Sequence, residues 1–437
     1  MFSKHALKLA GLYCILCHTF QAQSLETDVM VNQERLENSI MELAKFGQKE
    51  NGETSRVAFS EADVAARTWV IDLMKNAGLD VSIDFAGNII GRKKGKDASK
   101  KPIVFGSHID TVPDGGNYDG CVGSMGAIEV AYTLNEHGIL TDHPLEIIIF
   151  SNEEGGVMGS RALVGELGED AMSVVNSTGH RMDEGIKILG GDASRIKEVV
   201  RQKGDMAAFL ELHIEQGGIL DREKLQIGIV EGIVGLQWWN VEFTGFANHA
   251  GTTPMDIRQD ALLAAAKFIV AVNEITNSYE GKQVGTVGRI HAEPGAPNVI
   301  PGKVILSLEI RDLSSEKIAM LFKDMKQRAD QIAKDSNVRV SISPIDATAK
   351  PALTDPYIQR KIVDTAKKLK FSYKHMPSGA GHDAQDMALL VPTGMIFVPS
   401  RGGISHSPKE FTSPEDMANG TNVLLHTILM LDVDLKE

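Results

Sequence analysis

Apolar positions in the first half of the chain alternate between helical and strand-like spacing. From Glu61 to Ala77 they recur as on one face of a helix, and the pattern ends at Gly78, which is typical of a glycine C-cap. Residues 81–85 alternate between apolar and polar, and the apolar pattern resumes at Ile89 after a turn. This spacing predicts a hairpin at a sheet edge.

Two short apolar, β-branched segments have the composition of strands buried inside a sheet. They cover residues 102–105 and 145–150, and a helical stretch, residues 124–137, lies between them and ends at Gly138. Strand, helix and strand in this order predict a crossover connection, the basic unit of an α/β fold.

A different order, β-α-β-β-α-β, begins at Leu236 and is typical of a ferredoxin-like domain. The predicted strands are 237–244, 284–290, 304–310 and 338–342, and the predicted helices are 260–277 and 315–334. Each helix has one apolar stripe that we expect to pack on the sheet. The stripes are Leu262, Ala265, Ala266, Ile269 and Val272 in the first helix, and Ile318, Leu321, Phe322, Met325, Ala329 and Ile332 in the second. We therefore predict an α/β domain with a mixed sheet, residues 25–235 and 348–437, interrupted by an inserted ferredoxin-like α+β domain, residues 236–347.

The N-terminus has the pattern of a signal peptide, residues 1–24. Lys4 and Lys8 precede an apolar run from Leu9 to Cys17, and small residues follow at Ala22 to Ser24. The apolar run is too short for a permanent membrane anchor, so we expect export to a periplasm or the exterior. The alternatives are lipid attachment at Cys17 and a cytosolic protein with an apolar extension.

Composition limits the partners. The chain has 437 residues, and this length exceeds the usual size of one domain. With 43% hydrophobic and 24% charged residues, the composition is that of an ordinary soluble globular protein. Its net charge of −13 argues against nucleic-acid binding, which needs a basic surface. Cys14 and Cys17 lie in the predicted leader, so an exported chain would retain Cys121 alone and form no internal disulfide.

Acids and histidines follow the predicted strands in a repeated manner. His108 and Asp110 come directly after one buried strand, and Glu153 and Glu154 come after the next. Because ligands of open α/β sheets collect beyond the carboxyl ends of the strands, we expect both pairs at one rim. His-x-Asp and Glu-Glu each occur often by chance, and each pair alone would be interpreted as packing or as a solvated surface.

Three further residues complete a ligand set for divalent metals. His213 lies in an alternating strand with Glu211, Asp119 follows Tyr118, and His406 lies in a glycine-rich loop. A histidine in a strand is usually a packed core residue, but imidazoles and carboxylates together suit Zn²⁺ and related ions. Two neighbouring ions need a carboxylate between them, and Asp119 is the natural bridge.

The other acids have predicted roles around such ions. We expect the Asp110 carboxylate to fix the tautomer of His108. Glu153 and Glu154 are adjacent and should point in different directions, so one can bind a metal while the other faces the substrate as a general base.

Six motifs together resemble the M20-type metallohydrolases, in the hydantoinase/carbamoylase amidase branch. The similarity runs from about Gln33 to the C-terminus. The motifs are Gly106-Ser107-His108-Ile109-Asp110-Thr111, Gly115-Gly116-Asn117-Tyr118-Asp119-Gly120, Glu211-Leu212-His213-Ile214-Glu215-Gln216-Gly217, Asn248-His249-Ala250-Gly251-Thr252-Thr253-Pro254-Met255, Ser378-Gly379-Ala380-Gly381-His382-Asp383-Ala384 and Gly403-Ile404-Ser405-His406-Ser407-Pro408.

The resemblance implies a role for each site residue and two divalent ions per subunit, with Zn²⁺ expected and Mn²⁺, Co²⁺ or Ni²⁺ as alternatives. One ion would be bound by His108, Asp119 and His213, and the other by Asp119, Glu154 and His406, with Glu153 as the base. His249 would stabilise the oxyanion from the partner subunit of a homodimer formed through the inserted lid domain. The implied substrate contacts are Gln216, Asn298, Arg311 and His382. Without the resemblance, Arg311 would be interpreted as a surface ion-pair residue with Asp312.

The implied reaction is hydrolysis of the terminal carbamoyl group of an N-carbamoyl-L-amino acid or a related ureido acid such as allantoate. The alternative is a peptidase or aminoacylase on the same scaffold, but peptidase members are expected to have a carboxylate where this chain has His213. The chain departs from the family after Glu154, where Gly155 to Met158 leads directly into Gly159-Ser160 without an Arg-Phe pair. This shortened loop leaves the choice of substrate open.

Overall fold

The protein is described by a computed structural model that covers residues 29–50 and 52–435. The predicted leader, residues 1–24 with Cys14 and Cys17, lies outside these residues. The strands are β1 (Asp80–Ile83), β2 (Ile89–Lys93), β3 (Ile103–His108), β4 (Leu145–Phe150), β5 (Ala208–Ile214), β6 (Ile227–Ile233), β7 (Gly235–Thr244), β8 (Asn248–His249), β9 (Val284–Glu293), β10 (Val299–Ile300), β11 (Lys303–Asp312), β12 (Arg339–Ala349), β13 (Ala352–Leu353), β14 (Tyr373–Ser378) and β15 (Thr393–Val398).

The helices vary widely in length. They are α1 (Gln33–Ala44), α2 (Glu61–Asn76), α3 (Cys121–Glu136), α4 (Met158–Val164), α5 (Met182–Ile188), α6 (Ile219–Glu223), α7 (Ala261–Ser278), α8 (Ser315–Asp335), α9 (Pro356–Lys368), α10 (Asp383–Met387) and α11 (Pro414–Asp434), with 3₁₀ turns at Glu169–Ser173, Ala193–Val199, Met255–Ile257 and Arg401–Gly403. Within the described part of the chain, no helix is both long and apolar enough to cross a membrane.

One large mixed sheet has the strand order β1-β2-β4-β3-β5-β15-β6, and β6 also pairs with β13 and β14. Its centre, β4-β3-β5-β15, is parallel, whereas β1, β2 and β6 run antiparallel to their neighbours. Every residue of the four central strands is buried, which explains their almost continuous apolar sequences. The predicted edge hairpin and the predicted crossover are both confirmed.

Helix α3 lies directly against β5 because glycine replaces side chains at the contact. A Cβ atom at Gly123 would be 2.0 Å from the carbonyl oxygen of Leu212. The helix begins at Cys121, earlier than the Ser124 start expected from the sequence. No side-chain cap marks this start, since the N-cap residue is Gly120 with a positive φ of 64°. The early start brings Asp119 to the helix N-terminus, close to the end of β5.

The inserted unit has the four-stranded antiparallel order β12-β7-β11-β9. With α7 after β7 and α8 after β11, this is the ferredoxin-like arrangement, and that prediction is confirmed. Its core includes Trp239 of β7, whose ring stacks on Phe322 of α8 with centroids 4.2 Å apart.

The chain divides into two compact units near the predicted boundaries. The inserted unit spans Gly232–Leu353, and the larger unit includes the described chain up to Glu231, Thr354–Met376 and the described chain from His382 onward. The short segment Pro377–Gly381 groups with the inserted unit, although it lies beyond the predicted insert, residues 236–347. The sequence carries no compositional signal for this return of the chain.

The predicted stripe of α7 is only partly confirmed, since Ala265 and Val272 are buried and Ile269 packs against the core, whereas the stripe of α8 is confirmed. The buried face of α7 includes Ala264, Phe268 and Ala271, and Leu262 and Ala266 are exposed. The helix is apolar on both sides, so spacing alone could not distinguish the packed face. In α8 polar residues occupy one side, and the stripe is unambiguous.

We expect Gly123→Ala to destabilise the larger unit. The added methyl group would overlap the backbone of β5, and overpacking of this kind typically costs about 1–3 kcal/mol. Urea denaturation should show a lower free energy of unfolding. The matched control is Gly168→Ala, where a Cβ atom meets no atom within 4 Å and φ is −71°. An equal loss in both variants would contradict the close-approach argument.

Candidate metal centre

Side chains that can bind a divalent metal gather at the carboxyl ends of the parallel strands. His108 ends β3 and His213 is the penultimate residue of β5, Glu153 and Glu154 follow β4, His406 follows β15, and Asp119 lies in the loop between β3 and α3. Loops at this rim converge because neighbouring parallel strands end on the same side of the sheet. Residues far apart in the chain thus meet in space.

Two groups of possible ligands share the carboxylate of Asp119. In the first group, Asp119 Oδ1 lies 3.2 Å from His213 Nε2 and 3.7 Å from His108 Nε2. In the second group, His406 Nε2 lies 3.3 Å from Asp119 Oδ2 and 3.5 Å from Glu154 Oε2. These are the groupings that the family resemblance implied. Their imidazole and carboxylate donors suit divalent ions such as Zn²⁺ and Mn²⁺.

Backbone carbonyls orient the two buried imidazoles. His108 Nδ1 lies 3.1 Å from the carbonyl oxygen of Asp110, and His213 Nδ1 lies 2.9 Å from that of Ile214. A carbonyl oxygen can only accept, so Nδ1 carries the proton in each ring. Nε2 is therefore the nitrogen that faces Asp119, and it can offer its lone pair to a metal there once any proton on it has left.

The expectation that the Asp110 carboxylate fixes His108 needs correction. The carboxylate Oδ1 is 3.7 Å from His108 Nδ1, beyond hydrogen-bond distance, and the backbone carbonyl makes the contact. The carboxylate instead accepts from the amides of Glu153 and Glu154, at 3.2 and 3.1 Å. Through these two hydrogen bonds, Asp110 positions the turn that contains Glu153 and Glu154.

The turn after β4 separates the two adjacent glutamates. Asn152 has a positive φ of 51°, and the carbonyl oxygen of Glu153 accepts from the amide of Gly156 at 2.9 Å. Glu153 Oε2 lies 3.6 Å from His108 Nε2, whereas Glu154 points to His406. The two carboxylates diverge, as predicted from their adjacency.

The charges of the centre are balanced by protons. Burial raises the pKa of Glu153 well above its usual range, and burial together with Asp119 raises the pKa of Glu154 to about 8. Burial alone would lower the pKa of His213, but its hydrogen bond to Asp119 raises it to about 9, and Asp119 likewise raises the pKa of His406 to about 9. In the metal-free centre the protons on these groups neutralise the acids, and in a metal-bound centre the cations would do so instead. Glu154 Oε1 is also buried without a hydrogen-bond partner, so the residues fit divalent ions.

Two residues that the sequence did not predict hold the bridging carboxylate. Ser405 donates its hydroxyl to Asp119 Oδ2 at 2.8 Å and lies 2.8 Å from Glu410 Oε2. Glu410 Oε1 accepts from the amides of Tyr118 and Asp119, at 2.8 and 3.0 Å. Nothing in the local pattern distinguishes Glu410 from a solvated loop acid, although it is buried.

Gln216, the predicted contact of the ureido end, also reaches the bridge. Its side-chain Nε2 donates to Asp119 Oδ2 at 2.6 Å, and its backbone amide donates to Ser400 Oγ at 3.0 Å. Its Oε1 is buried without a hydrogen-bond partner, and its φ is 55°. The side chain therefore lies in the centre with a free acceptor, and its substrate role stays a prediction.

His382 lies behind the first ligand group. Its ring packs edge-on against His213, with centroids 4.4 Å apart, and burial lowers its pKa well below the usual range. Glu211, His213 and His382 are also close enough to form a third group. Because His213 Nδ1 is bonded to a carbonyl, only Nε2 can bind a metal, and Nε2 faces Asp119. We therefore assign His213 to the first group.

His249 and Asn298 lie next to each other in the inserted unit. His249 of β8 pairs with Val299 of β10, and the amide of Ala250 donates to the carbonyl of Asn298 at 3.0 Å. His249 Nδ1 accepts from the amides of Gly251 and Thr252, at 3.0 and 3.2 Å. The exposed Nε2 therefore carries the proton, which is the form that can donate to an oxyanion.

Arg311 pairs with a different acid from the one expected. Its Nε donates to Glu309 Oε1 at 2.7 Å, and its Nη1 donates to the carbonyl of Gly379 at 2.7 Å. Asp312, the partner expected from sequence alone, instead lies 3.4 Å from Lys317 Nζ. Residues two apart on a strand share a face, whereas neighbours point to opposite faces.

Known proteins closely resemble this chain along most of its length. The model of peptidase family M20/M25/M40 matches residues 104–430. An N-carbamoyl-L-amino acid amidohydrolase of Geobacillus stearothermophilus is 40% identical over 92% of this chain and 99% of its own length. A ureidoglycolate hydrolase of Arabidopsis thaliana is 39% identical over 95% of this chain and 90% of its own length. The crystal structure of a hydantoinase/carbamoylase family amidase from Burkholderia multivorans has a TM-score of 0.87 and 35% identity, covering 93% of this chain and 99% of that one.

We expect Glu410→Ala to weaken metal binding while the protein stays folded. Removing the carboxylate frees the loop that presents Asp119, and loss of such a supporting contact typically costs about 10- to 100-fold in metal affinity. Competition with a chromophoric chelator measures the change. Glu415→Ala removes an exposed acid nearby on α11 and serves as the control. Unchanged affinity in Glu410→Ala would exclude this positioning role.

Metal binding should release protons, and the affinity should rise with pH up to about 9. His213, His406 and Glu154 are protonated in the metal-free protein at about pH 7, because each pKa is raised, but they must be deprotonated to bind a metal. Calorimetry in buffers of different ionisation enthalpy counts the released protons. Glu154→Gln should release one fewer, and binding enthalpies that do not depend on the buffer would contradict the prediction.

Proposed function

Because the chain belongs to peptidase family M20/M25/M40, among the hydantoinase/carbamoylase amidases, we propose that it hydrolyses the terminal carbamoyl group of an N-carbamoyl-L-amino acid or a related ureido acid such as allantoate. One water is consumed, and the products are the free amine, ammonia and carbon dioxide. The observation that carries the proposal is the pair of ligand groups that share Asp119, with Glu153 beside them but in neither.

We assign two ions to the centre, with Zn²⁺ as the expected metal. The support is the division of ligands, since Asp119 offers one oxygen to each group. Elemental analysis of the purified protein tests both the count and the identity; a single equivalent would contradict the assignment. Bound divalent ions polarise the scissile carbonyl and make water more acidic.

Glu153 accepts the proton of the attacking water and later delivers it to the leaving nitrogen. Its carboxylate lies beside His108 without being a member of either ligand group, which leaves it free to exchange protons. Burial raises its pKa in the metal-free centre, and bound cations would lower it, so that the carboxylate is ionised before it accepts the proton. His249, with its proton on Nε2, is assigned to the developing oxyanion. Arg311 is assigned to the substrate carboxylate and Gln216 to the ureido end, and Asn298 and His382 are assigned as further substrate contacts.

A homodimer formed through the inserted unit is part of the proposal. The support is α7, whose second apolar face is exposed: Leu263 and Val270 are 47% and 58% accessible. A second subunit would cover this face, and its His249 would serve the neighbouring centre. Light scattering tests the assembly, and a monomer at working concentration would contradict it.

We also propose export, on the basis of residues 1–24. Expression of the full chain in a bacterial host should place the mature protein outside the cytoplasm. Edman sequencing should show an N-terminus after Ala22 or Ser24, and a cytoplasmic, uncleaved chain would contradict export.

A substrate panel tests the reaction. The metal-loaded protein should release ammonia from N-carbamoyl amino acids, allantoate or ureidoglycolate, and should not cleave dipeptides or N-acetyl amino acids. The alternative, a peptidase or aminoacylase, gains no support from His213, which occupies the position where peptidases are expected to have a carboxylate. Dipeptide cleavage without ammonia would establish that alternative.

Glu153→Gln should lower kcat about 10²- to 10⁴-fold, because the variant keeps the size of the side chain but cannot accept a proton. Its metal content should match the wild type, since Glu153 belongs to neither ligand group. The control is Glu166→Gln, an exposed glutamate after α4. Full activity of Glu153→Gln with metals bound would remove Glu153 from the mechanism.

A further inference from the structure

A cavity of about 240 Å³ adjoins the metal centre within the larger unit. Glu154 and Asp110 line one side, and a hairpin, residues 174–182, lines the other. The hairpin is closed by hydrogen bonds from the amide of Met182 to the carbonyl of Val174 and from the amide of Asn176 to that of His180. We call this space the side cavity.

The walls of the side cavity are mostly apolar. Apolar side chains at its surface include Val57, Val112, Pro113, Val174, Val175 and Met182. Val174 and Val175 remain 54% and 57% exposed, although they are β-branched apolar residues at a turn. Exposed apolar surface at the entrance of a cavity contributes favourable binding free energy when an apolar group of a ligand covers it.

The amide side chain of Asn176 is already engaged. Its Nδ2 donates to the carbonyl of Ala58 at 2.8 Å, and its Oδ1 accepts from the amide of Thr178 at 2.9 Å. A polar ligand group would therefore find no free partner on the Asn176 side chain. Desolvating a polar group without a partner is unfavourable, so this part of the wall favours an apolar occupant.

The ionisable groups on the described lining are both acids. They are Asp110, whose carboxylate accepts from two backbone amides, and Glu154, which faces His406. No lysine or arginine stands among the lining residues that the structure describes. The carboxylate of a ureido acid would find no cationic side chain among these lining residues, so the occupant is neutral.

We propose that the side cavity binds the substituent on the α-carbon of the substrate and that it selects aliphatic side chains of the size of leucine. This assignment rests on the proposed function. The α-carbon of an N-carbamoyl amino acid is two bonds from the scissile carbonyl carbon, so a substrate held beside Glu154 places its substituent at the cavity. A dry apolar cavity of about 150 Å³ accepts a benzene ring, so this space holds a four-carbon chain.

The first experiment compares kcat/KM for N-carbamoylglycine, N-carbamoyl-L-leucine and allantoate in the metal-loaded protein. The expected result is a preference of about 10-fold or more for the leucine derivative over the glycine derivative, as buried methylene groups typically give. Allantoate carries a neutral but polar second ureido group on the α-carbon. A preference for allantoate over the leucine derivative, or equal values for leucine and glycine, would overturn the assignment.

The second experiment changes the wall. Val175→Trp should fill the cavity, and Val175→Ser should remove apolar surface; both should lower the leucine-to-glycine ratio of kcat/KM about 10-fold. Both substitutions are at an exposed position, so folding is not at stake. The control is Val433→Trp, at a residue of α11 that is 63% exposed and does not line the cavity, and its ratio should equal that of the wild type.

The outcomes separate the two levels of the proposal. Ammonia release with a ratio that neither Val175 variant changes would overturn the side cavity as the subsite and leave the proposed function in place. Absence of ammonia from every ureido acid would overturn the proposed function and the subsite with it.

Discussion

The metal centre depends on one buried carboxylate, that of Asp119, staying ionised in an interior that disfavours charge. Burial raises the pKa of an isolated carboxyl group, yet here His213 and His406 outweigh burial and hold the pKa of Asp119 well below its usual range. Gln216 and Ser405 add hydrogen bonds to Oδ2. Because the carboxylate shares its charge over two oxygens that face different neighbours, one side chain can serve two groups of ligands.

Side chains hold Asp119 itself, whereas backbone groups hold several of its neighbours. Carbonyl oxygens orient the imidazoles, and amides of the Glu-Glu turn bind Asp110. Backbone groups cannot rotate away as long side chains can, so the donor atoms are held in place before any ligand arrives. The energetic cost is a set of tight turns, among them Val157, a β-branched residue with a positive φ of 51°.

The sequence predicts those features whose signal is local. The apolar runs of β3 and β4 identify buried strands, and the residues that follow them, His108 and Glu154, fall at one rim because of strand direction alone. The polar side of α8 identifies its packed face. The six family motifs then predict how the ligands group around Asp119.

Other features depend on contacts between distant segments and have no local signal. Glu410 is an acid in a loop until the fold brings it to the amide of Asp119. The face of α7 that packs could not be chosen from an apolar helix, and the early start of α3 follows from a glycine rather than from a polar cap. Asp110 was expected to act through its carboxylate, but the path of the chain brings its carbonyl to His108.

The separation between the two ends of the centre has a consequence for the order of events during synthesis. Ser405 and Asp119 are 286 positions apart, and Glu410 binds the Asp119 amide across 291. During synthesis His108, Asp119 and His213 are present in the chain long before His406 is made. The first group of possible ligands can then be complete, while the second group still lacks His406. Contacts of such long range form late in folding. The second group of possible ligands is therefore complete only when the segment that follows the last strand, β15, has joined the fold, and we expect tight metal binding only from that point.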